Sequence, residues 1–158
     1  MDSDCLVKLT KAGIKEAVVS AMEVYIPYLV KKETVDDVVN KNYQDAGIIK
    51  ENIGRNVLHV ARHVKKGSII VPAAKGEEEV VSLYLRGDFD AVASDDRKFL
   101  KKLDTAGIPY LTPAVCVVYL YKVMDIKKSE ALAMIERLRP FISKDEYVIS
   151  KFYMEEIR

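Results

Sequence analysis

Eight acidic residues fall at four places that solvent-face composition alone does not explain. Asp2 and Asp4 lie beside the first apolar run, and Glu33 follows Pro27. Glu77, Glu78 and Glu79 open an apolar segment, and Asp95 and Asp96 come directly after Ala91, Val92 and Ala93. Four carboxylates held together repel one another and raise each other's pKa, a conflict that a hard cation resolves. Oxygen ligands with no soft partner suit Mg2+ or Mn2+, and a pair of such ions activates a water and stabilises the leaving oxygen of a phosphodiester. That is nuclease chemistry. Each acid also has a local reading: Asp95 as a helix cap, Asp96 and the Glu run as complements to a helix dipole, and Glu33 as a partner of Lys31 or Lys32.

The acids can meet only if the chain builds a sheet whose strands end on a common crevice, as parallel α/β sheets do. The sequence has that alternation of short β-branched runs and longer segments at helical period. Strands are expected over 5–7, 24–26, 69–71 and 91–93, with an edge strand near 108–111 because Pro109 removes a ladder donor. Helices are expected over 11–21, from Pro27 to about residue 39, over 46–66 with Asp45 as cap and Gly67 as stop, over 76–85, and up to about residue 106. Pro113 opens another helix, and 127–138 and 144–157 read as two amphipathic helices packing back on the sheet. At about 100° per residue, Val80, Val81 and Tyr84 centre on the direction of Glu77, with Glu78 to the side and Glu79 well round the helix. Glu33 lies one turn beyond Leu29 and Val30, on the side that should meet the protein.

Of 158 residues, 49% are apolar and 31% charged, which excludes a disordered or fibrous chain and fits a single domain over 1–158. No apolar run approaches the roughly 18 residues of a membrane span, and the opening MDSD lacks the regions of a secretory signal, so a cytoplasmic protein is expected. Lys and Arg number 25 against 24 Asp and Glu, so bulk charge does not predict nucleic-acid binding. Cys5 and Cys116 lack the spacing of a metal or redox pair and read as small buried hydrophobes. His59 and His63 have i, i+4 spacing on an expected helix but no third ligand for zinc. Lys31, Lys32, Arg97 and Lys98 lie near the acids in sequence and could grip phosphates, as could Arg62, Lys65, Lys66, Lys101 and Lys102; Tyr25, Tyr28 and Tyr43 could stack bases.

These motifs resemble the PIN domain, a metal-dependent ribonuclease family of prokaryotic toxins and RNA-processing enzymes. The resemblance covers about residues 1–120 and rests on four motifs in order: Asp2-Ser3-Asp4 before an apolar run, Glu33 after Pro27, Gly76-Glu77-Glu78-Glu79, and Ser94-Asp95-Asp96 followed by Phe99. It implies an α/β, three-layer PIN-like fold, a central parallel sheet flanked by helices, with a C-terminal helical extension over about 124–158. It further implies that Asp2, Glu33, Glu77 and Asp96 are catalytic metal ligands for two Mg2+ or Mn2+ ions. Ser94 supports Asp96, and Asp4, Glu79 and Asp95 are second choices for ligands. RNA is then the substrate, a homodimer and an antitoxin protein are partners the family offers, and no membrane is involved. PIN chains usually carry several apolar strand residues before the first Asp, whereas here only Met1 precedes it. Either the start codon lies upstream or 5–7 carries more of the strand. The alternative reading is a catalytically weak or inactive PIN-like module that binds RNA or protein. A phospho-accepting regulatory domain is a third, without the lone strand-end Asp and later Lys it needs.

Overall fold

The first apolar run is helical. In the computed structural model, which describes residues 1–37, 44–61, 75–124 and 126–157, helix α1 spans Ser3–Lys11. Asp2 has extended backbone and its carboxylate accepts from the Cys5 N–H, while Asp4 in the first turn and Lys8 and Lys11 in the last complement the dipole. Cys5, Leu6 and Leu9 bury one face. The expected strand at 5–7 is therefore corrected: a three-residue apolar run fits either period, and the cap decides it.

Gly13 ends α1. At φ 66° it lets the Gly13 and Ile14 N–H groups return to the Thr10 and Leu9 carbonyls, a turn that a side chain would strain. The expected helix at 11–21 is thus divided, with its second part as α2, Lys15–Ala21. Strand β1, Val24–Pro27, follows as expected and leads into α3, Tyr28–Lys31, and a π-helical turn, Lys32–Asp36.

Helix α4 runs over Gln44–Gly54, with Asp45 in its first turn, and stops far short of residue 66. Asn56 adopts φ 55°, and the Asn56 and Val57 N–H groups bond back to the Ile53 and Asn52 carbonyls, repeating the geometry at Gly13 with Asn in the glycine place. The freed segment becomes strand β2, Leu58–Ala61, parallel to β1 with Val24 opposite Leu58 and Pro27 opposite Ala61. His59 is therefore on a strand, its ring stacked on Tyr25 at 4.8 Å, which removes the expected helical His pair. His63, Arg62, Lys65, Lys66, Gly67, Tyr43 and the expected strand at 69–71 lie outside the described residues.

The second half follows the sequence closely. Helix α5 spans Lys75–Tyr84, strand β3 Val92–Ala93, helix α6 Arg97–Thr105 and strand β4 Tyr110–Leu111, parallel to β3. Thr112 caps α7, Pro113–Val123; α8 is Lys128–Leu138 and α9 Lys144–Glu156. Among the described residues, helices α8 and α9 pack chiefly on α7 and on each other, where packing back on the sheet is the expectation from sequence.

The result is a mixed α/β protein, mostly helical, with two parallel sheets of two strands each among the described residues. Residues 1 and 2 join them: the Met1 nitrogen donates to the Tyr25 carbonyl of β1 at 2.8 Å, and the Asp2 N–H to the Ala93 carbonyl of β3 at 2.9 Å. One cluster of buried side chains draws on every helix, with Leu6, Ile26, Phe99, Leu120 and Ile135 wholly enclosed. Among the described residues no helix is long and apolar enough to cross a membrane.

Cys5 and Cys116 are both fully buried in this core and free of disulfide. A hydrogen bond with Cys116, then burial, pushes the Cys5 thiol well above its ordinary value. Both thiols should stay unmodified when the native protein meets a thiol reagent at pH 8, and both should react after unfolding. Labelling of the native chain at the unfolded rate would contradict this packing.

Candidate functional site

Asp2 stands where α1 begins, and its position is fixed twice. Its main chain is tied to β3, and its Oδ1 accepts from the Cys5 N–H at 2.8 Å. Its Oδ2 accepts from the hydroxyl of Ser94, a fully buried residue. Burial pushes the Asp2 carboxyl up to about 6, against the opposing pull of the Ser94 and Cys5 hydrogen bonds. The same Ser94 hydroxyl accepts from the Asp96 N–H at 3.2 Å, so Asp2, Ser94 and Asp96 form one chain of hydrogen bonds across two distant segments.

Asp96 is the N-cap of α6. Its Oδ1 accepts from the Lys98 and Phe99 N–H groups, both at 2.8 Å, which leaves Oδ2 outside the cap. Asp95, with a side chain only 9% exposed, is ion-paired with Lys8 of α1. Behind it stands Glu146 of α9, whose Oε1 accepts from the Ala114 N–H at 3.0 Å. Burial, then the hydrogen bond with Asp95, raises the Glu146 carboxyl to about 7. The expected cap at Asp95 is thus corrected by one residue: Asp96 caps α6, while Asp95 serves the ion pair.

Glu33 is exposed on the π-helical turn, and the Ser3 hydroxyl donates to its Oε2 at 2.5 Å. Its carboxylate lies against Gly76, where a Cβ would sit 3.5 Å from Oε1. Glu33 therefore faces the first turn of α5, the turn that carries Glu77. Glu77 is itself 3.7 Å from the Lys102 ammonium of α6. Glu79 does not lie clear of the protein as the helical projection expects: its Oε2 accepts from the Leu29 N–H at 3.1 Å, satisfying an orphan donor at the start of α3. Asp4 is exposed in the first turn of α1.

Of the basic candidates, Lys32 and Lys98 are exposed. Lys31 pairs with Asp36 at 3.0 Å, and Arg97 with Asp145 of α9 at 3.0 Å. Tyr28 is exposed beneath Lys31, whereas Tyr25 packs between His59 and Phe89.

Two residues at this site were not among the sequence candidates. Lys8 was hidden because its segment read as the end of a strand. Glu146 carried the wrong signal: Ser143 three residues before it reads as a capping box, in which the Glu bonds back to the Ser143 main chain. Ser143 does cap α9, but Glu146 turns to Ala114 instead.

The candidate ligands Asp2, Glu33, Glu77 and Asp96 offer only oxygen donors, which suits a hard divalent cation. Among the described residues, no three His, Cys, Asp or Glu side chains are drawn together closely enough to hold one ion. Comparison with family models, with curated proteins and with solved structures found no match for this chain.

Proposed function

We propose that the protein is a PIN-like ribonuclease dependent on Mg2+ or Mn2+, with Asp2, Glu33, Glu77 and Asp96 as the residues that hold the ions. The observation carrying this reading is the buried Asp2 carboxylate joined through Ser94 to Asp96. A carboxylate held in a desolvated place at a pKa of about 6 is one whose charged form a divalent cation stabilises. Bound ions supply Lewis-acid activation of an attacking water and stabilisation of the leaving oxygen. The chain's own contribution is orientation. Ser94 fixes the rotation of the Asp2 carboxylate, the α6 cap fixes Asp96, and Ser3 holds Glu33. The exposed ammonium groups of Lys32 and Lys98 serve as phosphate contacts for RNA.

The test is calorimetric titration of the wild-type chain and of Asp96→Asn with Mn2+, followed by incubation of both with labelled single-stranded RNA. Asn caps a helix as well as Asp does, so the variant should keep its fold. We expect Mn2+ binding at least about tenfold weaker and a parallel loss of cleavage. Absence of Mn2+ binding by the wild type would overturn the nuclease reading.

One observation favours the second reading, a PIN-like binding module with weak or no catalysis. Lys8 already places an ammonium on Asp95, beside Asp96, and so supplies positive charge from within the chain. Retained RNA binding without Mn2+ uptake would select this reading.

A further inference from the structure

A cavity of about 580 Å3 opens between the two sheets, beside Met1. None of Asp2, Glu33, Glu77 and Asp96 lines it, so it is separate from the proposed ion site. Its volume falls within the roughly 300–1,000 Å3 typical of small-molecule sites. The buried residues Val24, Val80, Leu83, Val92 and Cys116 make its depth apolar. Glu23, Asp88 and Asp90 border it as well, and all three are exposed, which places their carboxylates at the mouth.

The chain holds these acids there by local means. Gly87 at φ 93° and Asp88 at φ 71° are successive left-handed residues, a turn that Gly and Asp tolerate well, and it carries the chain from the end of α5 toward β3. Asp88 and Asp90 sit in this turn, and among the described residues neither has an ion-pair or side-chain hydrogen-bond partner. Glu23 accepts from the Tyr25 hydroxyl at 2.7 Å, and the Tyr25 ring meets Phe89 edge to face with centroids 5.2 Å apart. Both rings border the cavity. Carboxylates and aromatic rings side by side attract an organic ammonium group through its charge and through the ring faces.

No Lys, Arg or His borders the cavity among the described residues. The Met1 amine, which does, is bonded to the Tyr25 carbonyl at 2.8 Å, has Asp2 as its nearest opposite charge, and is lowered in pKa by burial. With 25 basic against 24 acidic residues in the whole chain, the negative field belongs to this mouth and not to the surface at large.

We propose that the cavity binds a small amphiphilic amine, whose apolar body fills the depth and whose ammonium group meets Glu23, Asp88 and Asp90 at the mouth. A neutral apolar ligand leaves the three carboxylates unused, and an anionic one is repelled by them.

The experiment titrates the full chain, without metal, with phenylbutylamine, phenylbutanol and phenylbutyrate, which share one apolar body and differ in the charge of the head. By calorimetry at low salt the amine should bind at least about fivefold more tightly than the alcohol, and the carboxylate more weakly than the alcohol. Added salt should weaken the amine and leave the alcohol unchanged. In a triple variant, Glu23→Gln with Asp88→Asn and Asp90→Asn, all at exposed positions, the amine should fall to within about twofold of the alcohol, whose own affinity should hold. Amide shifts caused by the amine should centre on Val80, Ala91 and Val92. Equal affinity of amine and alcohol for the wild type, a comparison that needs no variant, would overturn the proposal. So would an amine preference that survives the triple substitution, amide shifts confined to residues away from the cavity, or no binding of any of the three compounds at millimolar concentration.

Discussion

If the proposed nuclease reading holds, an Asp2→Asn variant should lose Mn2+-dependent cleavage of RNA to below detection and, in the absence of metal, should also lose a pH dependence of folding expected of the wild type. The two effects share a cause. Burial raises the Asp2 carboxyl from 3.8 to about 6, so the folded state holds this proton more tightly than the unfolded state does. A raised folded-state pKa gives stability that is complete below about pH 4, is lost as pH rises to about 6, and changes no further above that. Two units correspond to about 3 kcal/mol. Asn carries no titrating proton, keeps the cap on α1 and has nearly the same shape, so the wild-type and variant stabilities should diverge by about that amount between pH 4 and pH 6. Urea unfolding at pH 4, 5, 6 and 7 measures the difference directly, since other carboxylates contribute equally to both proteins. Parallel curves would mean that Asp2 titrates as an exposed acid, and the desolvation on which the proposed metal chemistry depends would fall with it.

Lys8→Met should destabilise the protein by about 3–5 kcal/mol at pH 8, the cost of stranding a buried charge, with the lower end favoured because Lys8 is a quarter exposed. Burial by itself lowers the Lys8 pKa, but the hydrogen bond and charge of Asp95 outweigh it and raise the value, so the ammonium is firmly charged where it stands. Met preserves the aliphatic stem, so the change isolates the charge. Without Lys8 the Glu146 carboxyl still faces Asp95, with which it shares a hydrogen bond, and proton uptake by Glu146 is the remaining relief. The penalty should therefore shrink as pH falls below about 7, where Glu146 already takes its proton. Adding Asp95→Asn should recover most of the loss, with a coupling of about 1–3 kcal/mol across the double-mutant cycle. Denaturant titrations of the four proteins at pH 5 and pH 8 give the result, and an additive cycle would show that the pair contributes nothing.

Both predictions turn on contacts of which the sequence reveals only half. Asp95 and Asp96 are legible because β3 is short, apolar and ends at once in polar residues, and Asp2 because it precedes an apolar run. What α1 and β2 turn into is not legible locally. Cys5-Leu6-Val7 is too short for period to decide, and Val57 and Val60 continue the stripe of α4 closely enough to mask the stop at Asn56. An Asn in the left-handed region is a weaker signal than the Gly that does the same at Gly13 and Gly107, so the helix looked longer than it is. Lys8 joins the site from a segment 87 residues before Asp95, and Glu146 from the last helix, well after it. No local pattern encodes a pairing of that kind.

The hydrogen bond between Ser94 and Asp2 spans 92 positions of the chain. During synthesis at 5–20 residues per second, Asp2 emerges roughly 5–18 s before its partner. Its bond to the Cys5 N–H spans only three positions and needs nothing that comes later. For that interval the carboxylate is hydrated, and it acquires its buried environment only when Ser94 leaves the ribosome and closes over it.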